Sequence, residues 1–366
     1  MQTNYKLKYL YFYLTDGCNL NCRHCYINPK FILKNSNIKF LDLEVFEKVI
    51  KEAKTLGLIG VKLTGGEPLL HPKIEEIFEI IKKENLKLIL ETNATLITKS
   101  LAKKIKNINS FVAVSLDGKD TYSYEWIRGV GGSFFLFKKG FSNLVSEGIR
   151  PQVIITLMKR NKDEISDIIK FAKSLKASSV KINPMQTIMR SESLYKDNQS
   201  LSIEELIKIG NYIENFLSKE INIPIFFHHP IVFRPLSKIF FKEGYNCGTC
   251  KILNILGVIS NGSYGLCGIS EFVPELNFGL AKENSIIDIW NENPILREIR
   301  TGLPNRLEGV CKICIFKSLC LGACLAQNYY LTKNLWSGFW YCQEAKERGL
   351  FPLNRTILKE EDYEKN

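Results

Sequence analysis

Tyr9-Leu10-Tyr11-Phe12-Tyr13-Leu14-Thr15-Asp16-Gly17-Cys18-Asn19-Leu20-Asn21-Cys22-Arg23-His24-Cys25 joins two signals in one stretch. Tyr9–Leu14 is a short apolar and aromatic run of the kind that forms a buried strand. The loop behind it offers three thiols at Cys-x3-Cys-x2-Cys spacing. Three thiolates are one short of a closed structural zinc site. They suit a [4Fe–4S] cluster that keeps one iron open. A zinc site completed by His24 or by a distant cysteine is the alternative at this point.

Outward from that loop the pattern repeats. Gly60–Leu63, Lys87–Glu91, Phe111–Ser115, Gln152–Leu157 and Ser179–Ile182 read as further strands. Leu43–Leu56, Lys73–Glu84, Lys99–Ile105, Phe134–Glu147, Lys162–Leu175 and Ser202–Leu217 carry helical periodicity. Asp42 is placed to cap the first helix, and Ser202 with Glu205 forms a capping box on the last. Six βα units predict a parallel sheet, doubly wound or curved into a partial barrel. Chemistry in such sheets gathers at the C-terminal strand ends. Cys18 follows the first strand, Gly65-Gly66-Glu67-Pro68 the second, Thr92-Asn93 the third and Asp117 the fourth.

The chain has 366 residues, 45% hydrophobic and 24% charged, which excludes a mostly disordered protein. It has no run of bilayer-spanning length and no signal-peptide pattern, so a cytoplasmic protein without a membrane partner is expected. In that reducing compartment eleven cysteines make a poor disulfide framework. Three lie in the first loop and eight between Cys247 and Cys342, with none between Cys25 and Cys247. The net charge of +12 comes without a polybasic run or an RNA-binding signature, and Lys alternates with Glu on helical faces. This argues against a nucleic-acid partner. It leaves a solvated basic surface, or attraction for an acidic peptide.

After Leu217 the alternation stops. Ile221–Ile239 is apolar with three prolines and reads as a connecting segment; a hairpin is expected over Asn261-Gly262, and the last residues as a frayed tail. The cysteine-dense remainder would rely on metal in place of a large core.

Cys18–Cys25 resembles the cluster loop of the radical S-adenosylmethionine (SAM) enzymes, which bind SAM at the open iron. Gly65-Gly66-Glu67-Pro68 is similar to the motif in which that family receives the methionine ammonium. Its glycines admit a close ligand, and Glu67 supplies the opposite charge. By the same resemblance His24 lies near the adenine, Asn93 beside the nucleoside, and Ser115 and Arg128 at the SAM carboxylate. A strand-end cap and a surface arginine are the plainer readings of the last two, and Asp117-Gly118 reads as a turn.

Cys250, Gly262 and Cys267, then Cys311, Cys314, Cys320, Cys324 and Cys342, resemble the SPASM extension with its auxiliary clusters. The family's ligation implies Cys311, Cys314, Cys320 and Cys342 on the second auxiliary cluster. It implies Cys250, Cys267 and Cys324 on the first, with Cys247 as the natural fourth. Two saturated clusters would pass electrons rather than hold substrate. With Cys247 free, the first would bind substrate directly.

The expected fold class is therefore α/β, a partial (β/α)6 TIM-like barrel followed by a small iron–sulfur domain. The expected boundaries are 1–220 for the barrel, 221–239 for the connector, 240–352 for the SPASM domain and 353–366 for the tail. The implied cofactors are SAM and three [4Fe–4S] clusters. The implied activity is hydrogen abstraction from a ribosomally made peptide or protein by a 5′-deoxyadenosyl radical. An external reductant such as ferredoxin or flavodoxin is implied. With 17 residues before Cys18, leader recognition is expected from a separate protein or the basic surface. An anaerobic sulfatase-maturing enzyme, a haem- or metal-cofactor maturation enzyme and an electron-transfer protein are the alternatives. Gly268 stands where the sulfatase group has an Asp after the hairpin cysteine. His228-His229 is expected as packed or hydrogen-bonded core rather than a ligand pair, and Tyr122, Tyr124 and Trp126 as core, with packing on substrate the alternative.

Overall fold

A computed structural model of the protein describes residues 5–240 and 250–357. Strands β1 (Tyr9–Tyr13), β2 (Gly60–Thr64), β3 (Lys87–Thr92), β4 (Ser110–Ser115), β5 (Gln152–Leu157) and β6 (Ser179–Pro184) lie side by side, parallel and in chain order. Between them run helices α1 (Leu43–Thr55), α2 (Ile74–Lys83), α3 (Lys99–Lys106), α4 (Thr121–Arg128), α5 (Ser133–Ser146) and α6 (Ile165–Ser174). All but α4 fall where the periodicity predicts. The Asp42 side chain accepts from the Glu44 amide and starts α1, as expected.

Alternation gives the sheet two chemistries. Leu10, Phe12, Val61, Leu63, Leu88, Leu90, Val114, Val153, Ile155, Val180 and Ile182 are fully buried on the helix-covered face. The Phe12 ring lies 4.4 Å from that of Phe46 in α1. The other face carries Tyr11, Tyr13, Lys62, Thr64, Glu91, Ser115, Thr156, Lys181 and Asn183. In a flat sheet Lys181 would lie three strand spacings, about 14 Å, from Glu91. Its charge nevertheless helps Lys62 hold the Glu91 carboxyl below its usual range against burial.

β7 (Ile225–Phe227) follows β6 at one edge. At the other edge β8 (Ile255–Val258) pairs parallel with β1, and β9 (Ser263–Gly265) and β10 (Asn277–Leu280) add antiparallel. The expected hairpin over Asn261-Gly262 joins β8 to β9, with Gly262 at φ 83° and the Ser263 amide donating 2.9 Å to Asn261 Oδ1. No helix among the described residues is long and apolar enough to cross a membrane.

The chain forms two compact units, Met1–Ser200 with Ile221–Phe226 and Ile252–Asn293, and Leu201–Glu220 with Phe227–Lys251 and Pro294–Asn366. These cut the chain elsewhere than the expected boundaries. Ile252–Asn293 joins the first unit because β8 completes the sheet beside β1. Leu201–Glu220 joins the second. Its helix Ile203–Tyr212 opens on the predicted Ser202/Glu205 capping box and passes into a π-helical turn, Ile213–Leu217. There Glu214 is buried and accepts from Arg234 Nε at 2.8 Å, with His229 Nε2 at 3.2 Å. His229 is thus hydrogen-bonded core, as expected.

Candidate functional site

The thiol loop follows β1. Gly17–Cys18 pairs with Lys30–Phe31, which closes the loop on itself. Cys18, Leu20 and Cys22 are buried together, with Cys25 and Val130 packed on them. The Leu20 amide lies 3.4 Å from Cys18 Sγ. Burial and the neighbouring thiol of Cys22 push the Cys18 and Cys25 thiols up. Buried thiols that resist ionisation alone call for a cation to hold them as thiolates.

Gly65-Gly66-Glu67-Pro68 leaves β2 pressed against this loop. The Gly66 amide donates 2.9 Å to Thr15 O, and the Glu67 amide 2.9 Å to Gly17 O. A Cβ on Gly66 would stand 1.9 Å from the Gly17 carbonyl oxygen, and Gly65 sits at φ 122°. Only glycine fits either position. The Glu67 carboxylate is 1% exposed and held by three donors: the Leu69 amide, Thr92 Oγ1 at 2.7 Å and the Asn93 amide at 2.8 Å. Burial outweighs these donors and pushes its pKa up to about 7. An ammonium placed beside it would restore the charged form. The Asn93 side chain donates 2.9 Å to Asn19 Oδ1, tying β3 to the thiol loop.

Asp117, two residues past Ser115 and with no exposed surface, is the hub that sequence reading took for a turn. Its Oδ1 accepts from the Thr156 amide at 2.7 Å, and its Oδ2 pairs with the Arg128 guanidinium, Nη2 at 2.7 Å, with His24 Nε2 at 3.3 Å. Arg128 also places Nη1 3.6 Å from Cys22 Sγ. It is therefore no surface arginine. Burial works against its charge, and Asp117 with Cys22 more than compensates. Burial pushes His24 down to about 4, so the ring is neutral. Arg128 Nε, His24 Nδ1 and the Tyr124 hydroxyl remain buried without hydrogen-bond partners among the described residues. Such orphaned groups, a glycine cradle and a buried carboxylate fit a small polar ligand carrying both charges beside the thiols.

Sequence reading also missed Arg190, which donates to Asn28 Oδ1 at 2.9 Å, Cys22 O at 3.3 Å and Pro29 O, clamping the loop from behind β6. It follows no motif, so only the fold reveals it. Tyr124 is fully buried, as expected, whereas Tyr122, expected in the core, is exposed; Arg23 and Arg160 lie over the Trp126 ring at 4.8 Å and 5.4 Å.

Tyr13, at the end of β1, takes a backbone hydrogen bond from Gly268. A Cβ at residue 268 would stand 2.3 Å from the Tyr13 ring. The Tyr13 ring therefore leaves no room for a side chain at residue 268.

In the second unit Cys311, Cys314, Cys320 and Cys342 border a small pocket of about 20 Å³, walled by Pro230–Val232, Phe339 and Phe351. No three His, Cys, Asp or Glu side chains among the described residues close on a point for one metal ion. Four thiols lining one pocket are the donor set that a [4Fe–4S] cluster uses. Burial and the other three thiols push Cys342 far up, and burial takes Cys320 to about 12. The Phe339 amide points at Cys311 Sγ from 3.4 Å. Of the other expected ligands, Cys267 belongs to the first unit and Cys250 and Cys324 to the second. Cys247 falls outside the described residues.

Comparison with known proteins agrees with this arrangement. Residues 12–172 match the radical SAM superfamily and 240–315 the SPASM iron-sulfur cluster-binding domain. An AdoMet-dependent heme synthase of Methanosarcina barkeri is 27% identical over 340 residues, 90% of this chain and 94% of that one. The antilisterial bacteriocin subtilosin biosynthesis protein AlbA of Bacillus subtilis is 25% identical over 92% of this chain and 71% of its own. The crystal structure of Streptococcus suis SuiB bound to S-adenosylmethionine superposes with a TM-score of 0.72 at 18% identity. It covers 93% of this chain and 78% of that one. The chain belongs to the radical SAM superfamily and carries a SPASM domain, and with them SAM and [4Fe–4S] clusters as its cofactors.

Proposed function

We propose that this enzyme is a maturase that oxidises a residue of a ribosomally made peptide. The observation that carries the reading is one of convergence: thiol loop, glycine cradle and buried Glu67 meet at the ends of β1–β3, above an open, polar inner face. SuiB, of the same fold, has been solved with its precursor peptide SuiA, and AlbA serves bacteriocin biosynthesis.

A bound cluster and SAM supply reductive release of a 5′-deoxyadenosyl radical able to take hydrogen from an unactivated carbon. The chain's own residues do the rest. Cys18, Cys22 and Cys25 hold the cluster. Gly65 and Gly66 give SAM its approach, Pro68 ends the turn, and Glu67 faces the ammonium. His24 offers a neutral ring to the adenine and Asn93 faces the nucleoside. Ser115 and Arg128 face the carboxylate, with Asp117 fixing the guanidinium. Cys311, Cys314, Cys320 and Cys342 would hold a saturated cluster, whose chemistry would be electron uptake. All eleven cysteines serve three clusters, and ferredoxin or flavodoxin supplies the reducing electron.

Anaerobically reconstituted protein should release 5′-deoxyadenosine from SAM on adding dithionite. It should also change the mass of a short peptide encoded beside its gene. Without 5′-deoxyadenosine the radical reading fails. With it, and with every neighbouring peptide unmodified, the peptide assignment fails. The second reading is tetrapyrrole maturation, favoured by the match to 94% of the heme synthase. The sulfatase reading is opposed by Gly268, which offers no side-chain base where that group carries an Asp and has no room for one.

A further inference from the structure

Helix α4 carries Tyr122 and Trp126 at i, i+4 spacing, so both rings stand on one face. The Arg160 guanidinium lies across that face, 5.0 Å from the centre of the Tyr122 ring and 5.4 Å from that of Trp126. The Arg23 guanidinium stands 4.8 Å from the same indole. The SAM contacts proposed above leave these four side chains unused.

Both arginines are fixed from the backbone up. Arg160 leaves the loop behind β5, where the Asn161 side chain donates 3.0 Å to Asp117 O and to Thr156 O. Asn161 Oδ1 accepts from the Met158 amide at 2.9 Å and closes that loop. Arg23 belongs to the thiol loop, its amide donating 3.0 Å to Ile127 O and its Nε 2.9 Å to Trp126 O. Rings and cations are thus held at the end of α4, where Arg128 points at Cys22.

The charge of Arg160 goes unanswered. Its Nε is buried without a hydrogen-bond partner. Among the described residues the two rings are the whole set of partners of this guanidinium, and no carboxylate or carbonyl meets it. Glu164, four residues on, does not pair with it, and its own Oε2 is buried and unpartnered. Aromatic contact holds a guanidinium flat and leaves its N–H edge free. With Nε enclosed and the side chain half-buried, the two Nη atoms are the edge left at the surface. Such a planar fork fits the two oxygens of a carboxylate.

We propose that Arg160, laid over Tyr122 and Trp126, receives a carboxylate of the substrate, with Arg23 adding charge beside the indole. The inference rests on the radical-enzyme reading and names a feature of its substrate, an acid group docked against the helix that carries Arg128. Two sources present that chemistry: an acidic residue of a peptide and the acid side chains of a tetrapyrrole.

The test is binding to reconstituted, oxidised, SAM-loaded protein without reductant, so that turnover plays no part. The probes are coproporphyrin III with its tetramethyl ester, followed by absorbance, and N-acetyl-Gly-Glu-Gly-amide with its Gln counterpart, followed by calorimetry. At least one free acid should bind, and better than its neutral partner. Arg160→Lys keeps the charge but loses the fork, and should weaken binding about tenfold. Tyr122 is 73% exposed, so its replacement spares the core. Tyr122→Ala should weaken binding about threefold by releasing the guanidinium, and Tyr122→Phe, which keeps the ring, should not. Arg150→Gln controls for overall charge. It removes an exposed arginine at the opposite end of β5 and should leave affinity unchanged. Whichever acid shows this pattern names the source. The proposal is overturned if neither free acid binds or if the neutral probes bind equally. It is also overturned if Arg160→Lys binds as tightly as wild type, if the two Tyr122 variants behave alike, or if Arg150→Gln weakens binding as much as Arg160→Lys. Acid binding of the expected pattern with no 5′-deoxyadenosine release would sink the proposed function and leave this site standing.

Discussion

Asp117 carries more of the site than any residue its sequence context singles out. Asp-Gly after a strand is ordinary turn chemistry. The role of Asp117 comes from partners 93 residues before it and 11 and 39 after it, His24, Arg128 and Thr156. No local pattern encodes such convergence. Cys18, Gly66 and Glu67 were legible because their chemistry needs neighbours in sequence. Arg128 was legible as a charge but not as a buried one. Asp117→Asn would leave the Arg128 guanidinium enclosed without its counter-ion. Breaking a buried pair in this way costs about 3–5 kcal/mol. Urea denaturation of the variant should show a loss of that order, and a loss below about 1 kcal/mol would mean the pair is solvated and exchangeable.

At the level of elements, the six strands were readable because each alternates or runs apolar between clear breaks. α4 was not, because Thr121–Arg128 is crowded with aromatics that suggest a surface for substrate. Its signal was the Asp120–Ser123 capping box, with the Ser123 amide donating 2.8 Å to Asp120 Oδ1 and Gly129 closing the helix at φ 72°. β8 was read only as half of a hairpin; its parallel partner β1 lies more than 240 residues away in sequence. The turn after β2 is the element on which the site depends, since backbone touches backbone there and nothing can yield. Gly66→Ala should push the thiol loop aside, lowering iron retention and weakening SAM binding about 100-fold or more. A Cβ of this kind meeting a carbonyl cannot be absorbed by a rotamer. Gly131→Ala is the control, because only Glu125 Oε2, at 3.9 Å, lies near its Cβ position. Equilibrium dialysis with SAM separates the two, and equal affinity would show that the loop accommodates the methyl group.

For the whole molecule, the cysteine spacing announced two metal regions, yet not how the chain would be shared between its compact units. A sheet recruits any strand that completes its edge, and β8 does so from within the cysteine-rich half. The second unit is built differently. Its interior is an aromatic cluster, Phe233 lying 5.3 Å from Tyr341 and 6.1 Å from Phe351, beside a cavity bordered by four sulfurs. On the proposed reading a cluster held by those four thiols would be part of this unit's fold. The two cysteine sets should then fail separately. Wild-type protein should hold about twelve irons, Cys311→Ala/Cys314→Ala about eight, and the triple alanine variant of Cys18, Cys22 and Cys25 also about eight. The first pair should lower the thermal unfolding temperature, because those ligands close a core. The triple variant should lose SAM cleavage outright. Iron analysis paired with a thermal melt decides it. An unchanged melt in Cys311→Ala/Cys314→Ala would show that the second unit stands without its cluster, and about four irons in wild-type protein would remove the auxiliary clusters altogether.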